Sequence, residues 1–314
     1  MPFFSHPEFQ LFGRTAISIV LEASPFLMFG SLLSVLLGRS ATPDRLARWI
    51  PARPAAQIAA GLVGGMVLPV CECGVVPIAR RLIDKGVSAR TVITYMLAAP
   101  VINPVVLIST YVAFGGDLAL VLSRAAIVGI TAALAGWLLG RGRPQDLLNW
   151  GPRPLPATAA EQDAAPCCHH HGKFEPAWTD RWVALAVMRS TAFEFMDMGK
   201  YLIAGALAAA AFKVFLPWQL IQVFAGSLPA AVGLLMALAV LLSVCSEADA
   251  FVAASLVYFP PASQLAFMAI GPMVDLKLIG MYLFTFQKRP ALFLVALPIL
   301  CVYALSILAA PVLR

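Results

Sequence analysis

Charge is scarce in this chain: Asp, Glu, Lys and Arg make up only 12% of its residues, against about 25% in an ordinary soluble domain. Hydrophobic residues fill 61% of positions and the mean hydropathy is +0.85, more than one soluble core could hide. That shortage excludes a soluble enzyme and a disordered tail. Six cysteines among 314 residues are too few and too scattered for a disulfide scaffold. The sequence has no GxxxxGK[ST] phosphate loop, and it has neither a CxxC pair nor a haem-attachment motif. The basic excess, 22 Lys plus Arg against 16 Asp plus Glu, reads as the positive flanks of membrane segments and not as a nucleic-acid surface. Nor is a cleavable signal peptide expected, because the first apolar run carries Glu22 at its centre and no small-residue cleavage site follows it.

What the chain does have is long apolar runs. A helix crossing a bilayer needs about 20 mostly apolar residues, and runs that meet or approach this are 15–38, 57–84, 88–113, 117–140, 183–216, 227–258, 264–286 and 290–312. Between 141 and 181 the composition turns to Pro, charge and small residues, as in a soluble, largely flexible linker. The expected organisation is a first membrane repeat over 1–140, a cytoplasmic linker over 141–181 and a second membrane repeat over 182–314. A shift of 175 places Arg14, Glu22 and Gly30 on Arg189, Asp197 and Gly205; a shift of 174 sets Cys71 on Cys245; a shift of 172 brings Asn103 to Asp275. Weak internal symmetry of this kind is a property of secondary transporters.

Positive residues favour the cytoplasmic side. Arg39, Arg45, Arg48 and Arg53 precede the 57–84 run, and Arg80, Arg81, Lys85 and Arg90 follow its apolar part. Both ends therefore want the same side, which one crossing cannot supply. A re-entrant hairpin can, with its tip at Cys71-Glu72-Cys73-Gly74, where Gly74 and Pro77 are expected to break the helix. The fold expected is all-α and polytopic, with two inverted repeats making about six crossings plus two re-entrant hairpins. Eight plain transmembrane helices are the alternative.

Ionisable residues within apolar runs are expensive and mark function. Here they are Glu22, Glu72, Arg124, Glu194, Asp197, Lys200, Glu247, Asp249, Asp275 and Lys277. Asp197 with Lys200, three apart on one helix face, has an equal claim to be a structural pair, and Arg124 to be a buried counter-ion. Cys71, Cys73 and Cys245 would bring three sulfurs to the two tips, a soft site suited to a thiophilic metal or metalloid. Glu72 and Glu247 could add oxygen ligands or take the proton a binding thiol loses. Buried small hydrophobes are the plain alternative for these cysteines.

Pro100, Asn103 and Pro104 interrupt the 88–113 run, and Pro272 with Asp275 repeats the break in the other half. Substrate sites of transporters sit at such paired interruptions. In the linker, Cys167, Cys168, His169, His170 and His171 could hold a soft or borderline metal, although without the spacing of a structural zinc site. No resident cofactor is expected, and an enzyme is not.

The stretch CECGVVPIARRLIDKGVSARTVITYMLAAPVINPVVLIST, with CSEADAFVAASL and GPMVDLKL in the second half, resembles the bacterial predicted permeases of the YraQ type, a family that includes the organoarsenical efflux permeases. The resemblance covers nearly the whole chain apart from the linker. It implies a multi-pass permease of the bacterial inner membrane exporting a substrate, trivalent arsenicals being the best-known case. Glu72 stands where the arsenical exporters tend to carry Ser, which leaves a divalent metal or a sulfur compound open. The expected function is proton-coupled efflux of a thiophilic substrate, a trivalent arsenical or soft metal ion, with Asp249 also near the path. Partners would be the lipid bilayer and a small-molecule or ion substrate, with no nucleic acid and a homo-oligomer allowed. The alternatives are a membrane thiol oxidoreductase, a sulfur-compound carrier or a metal-responsive membrane scaffold.

Overall fold

The computed structural model describes residues 7–40, 53–68, 70–142, 147–148, 181–215, 227–311 and 313. Among them are twelve helices and no strand. In the first half these are α1 (Pro7–Ser40), α2 (Pro54–Val67), α3 (Glu72–Asp84), α4 (Ala89–Ala98), α5 (Pro104–Ala113) and α6 (Leu118–Leu139). In the second they are α7 (Arg181–Phe215), α8 (Leu228–Leu242), α9 (Asp249–Ser255), α10 (Pro261–Ile270), α11 (Leu276–Thr285) and α12 (Lys288–Ala309).

Three helices are long and apolar enough to span a bilayer: Gln10–Leu36 within α1, Leu118–Leu139 and Lys288–Ala309. The 57–84, 88–113, 227–258 and 264–286 runs each become two shorter helices, joined at 68–71, 99–103, 243–248 and 271–275. Prolines punctuate these joints: Pro104 opens α5 and Pro261 sits in the first turn of α10, where a missing N–H leaves no helical bond unmade.

The core is formed by short helices. Nearly every residue of α4 and α10 is buried, so these two have no outward face. α2 packs on α4 and α6, and α8 correspondingly on α10 and α12. α6 and α12 pack on each other, as do α1 and α7. Further packing crosses between the halves among the described residues, α3 with α11, α5 with α9 and α6 with α10. Large apolar side chains face outward, among them Leu21, Val63, Ile108, Leu122, Phe251 and Leu300, while Glu72, Arg124, Asp249, Asp275 and Lys277 lie within. Hydrocarbon outside and charge inside make this an all-α polytopic membrane protein.

Three details differ from the sequence reading. Gly74 and Pro77 do not end a helix but lie inside α3, and the interruption precedes Glu72. Gly74 instead permits close packing: a Cβ on Gly30 of α1 would come within 2.5 Å of the Gly74 Cα, so no side chain fits between these helices. Among the described residues, the second arms of the expected hairpins pack chiefly on other helices, α3 against α1, α4 and α11, and α9 against α10 and α5. Finally, part of the 141–181 segment is docked. Leu147 and Leu148 are buried, Leu148 bridges Phe286, and the Gln287 N–H donates to the Leu147 carbonyl at 2.9 Å. Cys167, Cys168, His169, His170 and His171 lie outside the described residues, as do Arg45, Arg48 and the side chains of Arg39, Glu194 and Asp197.

Candidate functional site

The two breaks at 99–103 and 271–275 are built alike. In the first, the Ala98 carbonyl accepts from Val101 N at 3.0 Å and Ile102 N at 2.8 Å. In the second, the Ile270 carbonyl accepts from Met273 N at 3.0 Å and Val274 N at 2.8 Å. Each break then ends in a capping side chain. Asn103 Oδ1 accepts from Val106 N at 2.9 Å, and Asp275 Oδ1 accepts from Leu278 N at 2.6 Å. Asn and Asp are favoured there because their short oxygen reaches an otherwise unpaired N–H of the first turn. Pro100 and Pro272, lacking an N–H, help make the interruptions.

The tips at 68–71 and 243–248 also share a turn. The Cys71 carbonyl accepts from Gly74 N and Val75 N at 3.1 and 3.2 Å, and the Cys245 carbonyl from Ala248 N and Asp249 N, both at 3.0 Å. Cys71 and Cys245 are therefore equivalent positions, as the shift of 174 implies, and Glu72 corresponds to Ser246. Glu247 is only partly buried, so it is not the counterpart of Glu72. The second tip's interior carboxylate is Asp249. Ser243 closes α8 in the left-handed region, φ 47°, and its hydroxyl accepts from Leu276 N at 3.3 Å. That bond ties the second tip to the start of α11.

Where the tips meet, polar groups gather. Cys71 and Cys73 are buried free thiols, the Cys73 thiol lying against that of Cys71 and within electrostatic reach of Lys277 and Glu72. Cys245, also free and partly buried, faces Glu72 and Cys71 from the second tip. Lys277 Nζ lies 3.2 Å from Asp275 Oδ2 and 3.6 Å from Glu72 Oε1. Ser246 stands beside Glu72 without closing a hydrogen bond to it. Among the described residues, no three His, Cys, Asp or Glu side chains converge into a metal cage.

A second buried pair links the halves. Arg124 of α6 donates through one terminal nitrogen to Asp249 Oδ2 at 2.7 Å and through the other to Thr110 Oγ1 of α5 at 2.6 Å. The pair ties α5, α6 and α9 together. Of the other ionisable residues in the apolar runs, Glu22 is exposed and Lys200 lies over the Phe284 ring at 5.2 Å. Sequence reasoning missed Thr110 and Ser246. Ser246 had a usable signal, since the shift that aligns the two Cys places it opposite Glu72.

Comparison with known proteins agrees with this inside-out architecture. A family model described as a predicted permease matches residues 8–312. The chain is 34% identical over 292 residues, 92% of either chain, to a Streptococcus mutans protein provisionally named a two-component membrane permease complex subunit. It is 33% identical over 293 residues, 93% of this chain and 94% of the other, to the UPF0718 protein YcgR of Bacillus subtilis. No solved structure matches it.

The chain belongs to this predicted permease family.

Proposed function

We propose that this membrane permease exports a thiophilic solute, a trivalent arsenical or a soft metal ion, across the bacterial cytoplasmic membrane along a path between its two tips, with protons as the coupling ion. The observation that carries this reading is the adjacent, buried Cys71 and Cys73 thiols, faced by Cys245 from the opposite tip. Sulfur ligands select soft solutes over hard cations. Carboxylates beside them can accept the protons that the thiols release when their sulfurs bind a solute.

In the same reading, residues 1–140 and 182–314 are inverted repeats, and their paired interrupted helices frame the path as in other secondary transporters. The recurring helix order and the crosswise α3–α11 and α5–α9 contacts support it. Positions 45 and 85 then face the cytoplasm together. Labelling of single cysteines at these positions from the two sides tests this, and labelling from opposite sides would refute the inverted arrangement. The printed name of the Streptococcus relative suggests a second membrane subunit as partner.

The decisive experiment is efflux from a sensitive bacterial strain challenged with trivalent organoarsenicals, cadmium, zinc and copper. Cys71→Ser, Cys73→Ser and Cys245→Ser should each reduce efflux about tenfold or more, the loss of one good ligand, at matched membrane abundance. Cys301→Ser, in α12 away from both tips, should leave it unchanged. Full efflux by the triple Cys71/Cys73/Cys245 variant would overturn the thiophilic path.

A further inference from the structure

Among the described residues, the buried charges between the tips do not balance. Glu72, Asp249 and Asp275 are three carboxylates, and Arg124 and Lys277 are two cations, each no more than 3% exposed. Arg124 is committed to Asp249 by a 2.7 Å bond. Lys277 is the remaining cation for two carboxylates, and it sits closer to Asp275, at 3.2 Å, than to Glu72, at 3.6 Å. Asp275 is the better supported of the two, with Oδ1 accepting from Leu278 N at 2.6 Å and Oδ2 lying nearer to Lys277 Nζ than Glu72 does. The surplus charge therefore falls on Glu72. Its second oxygen, Oε2, has no hydrogen-bond partner among the described residues, and neither has the buried Ser246 Oγ beside it.

A buried charge without a partner is strongly unfavourable and is neutralised by a proton or an ion. We propose that Glu72 Oε2 and Ser246 Oγ, contributed by equivalent positions of the two tips, hold one exchangeable monovalent cation. The chemistry, a single positive charge shared by a carboxylate and a hydroxyl, suits a proton on Glu72 donated toward Ser246 or a sodium ion between them. This deepens the coupling part of the proposed function and rests on that reading only for its role in transport.

Among the described residues, the surroundings bring no other cation. Lys277, Asp275 and Tyr282 face Glu72 from α11, and Cys245, Ser246 and Asp249 from the second tip. Cys71 and Cys73 face it from its own segment. The ionisable residues on the neighbouring α1 and α4, among them Arg14, Glu22, Arg90 and Tyr95, form no ion pair with it among the described residues. A cation bound here bridges the tips and stabilises the folded protein by mass action.

The test is the melting temperature of the purified full chain in phosphatidylcholine nanodiscs, with no solute present. Sodium chloride is titrated against choline chloride at alkaline pH, and a separate pH series is run in choline. A saturable rise with sodium identifies sodium as the ion. A fall in melting temperature as pH rises, indifferent to sodium, identifies the proton, because stability conferred by the protonated carboxyl is lost as the proton leaves. Glu72→Gln, which removes the surplus charge, should abolish whichever response the native chain shows. Ser246→Ala, which preserves the charge and tests the site even where Glu72→Gln does not fold, should shift the midpoint about tenfold, the equivalent of one hydrogen bond. A native chain that responds to neither ion, or a Glu72→Gln variant that keeps the full response, would overturn the proposal. Failure of thiophilic efflux would leave this measurement untouched.

Discussion

Placed side by side, the two halves share a backbone and differ in chemistry. The breaks at 99–103 and 271–275 repeat the same carbonyl-centred bonds, and the turns after Cys71 and Cys245 repeat theirs. Yet the amide of Asn103 stands where Asp275 has a carboxyl group, and the hydroxyl of Ser246 where Glu72 has one. Lys277 of α11, the one buried lysine among the described residues, has Val105 of α5 in the matching place. Similar backbone breaks in the two halves thus carry different side-chain chemistry. Their backbone is conditioned by capping and helix interruption, which Asn and Asp satisfy equally, so side chains can diverge without disturbing it.

The strongest test of that asymmetry adds or strands a charge. Asn103→Asp keeps the cap but places a buried carboxylate where no lysine stands, and Arg124→Met strands Asp249. Each should destabilise the protein by about 3–5 kcal/mol, the range for an uncompensated buried charge. Thermal unfolding in nanodiscs measures it, and Arg124→Met combined with Asp249→Leu should recover much of the loss. If Asn103→Asp proves as stable as the native chain, the halves are electrostatically interchangeable and the comparison fails.

A smaller effect distinguishes the outer helices. Gly30→Ala would push a methyl group into the Gly74 backbone, and Gly205→Ala would push one into Lys277, 2.7 Å from its Cα. Overpacking of this kind amounts to roughly 1–3 kcal/mol. Gly30→Ala should disturb the first tip by displacing α3, whereas Gly205→Ala should alter the placement of Lys277. Gly199→Ala, with nothing within 4 Å, should instead stabilise α7 by up to about 1 kcal/mol. Cap removal is milder than overpacking at its upper end: Asn103→Ala should lose about 1 kcal/mol, and Asp275→Asn, which retains an acceptor oxygen, less than Asp275→Ala. Melting temperatures of this series rank the four effects.

Much of this was legible in the sequence. Pro100, Asn103 and Pro104 announce a break because proline cannot donate and Asn caps, and GPMVD announces its counterpart. The Cys71 and Cys245 alignment survives because both residues occupy the same turn. The pairing of Arg124 with Asp249 was not legible. These residues are 125 positions apart, and several carboxylates were candidate partners for one arginine. Glu247 is only partly buried while Asp249 is buried, a difference that a sequence offset between the halves does not reveal. Gly74 was read through its helix-breaking tendency, while its position is set by the close approach of α1.

The short contact of Leu147 and Leu148 with Phe286 and Gln287 has a consequence for how this polypeptide could be divided. The first half carries its own docking strap for the second, a bridge and a backbone bond placed before most of the intervening segment begins. A gene cut after that strap would yield two fragments, the leading one already bearing an adhesive end that matches the α11–α12 junction of the other. Co-expressed, such pieces would have a built-in means of reassembly, and a cut placed just ahead of Leu147 would remove it from the leading fragment.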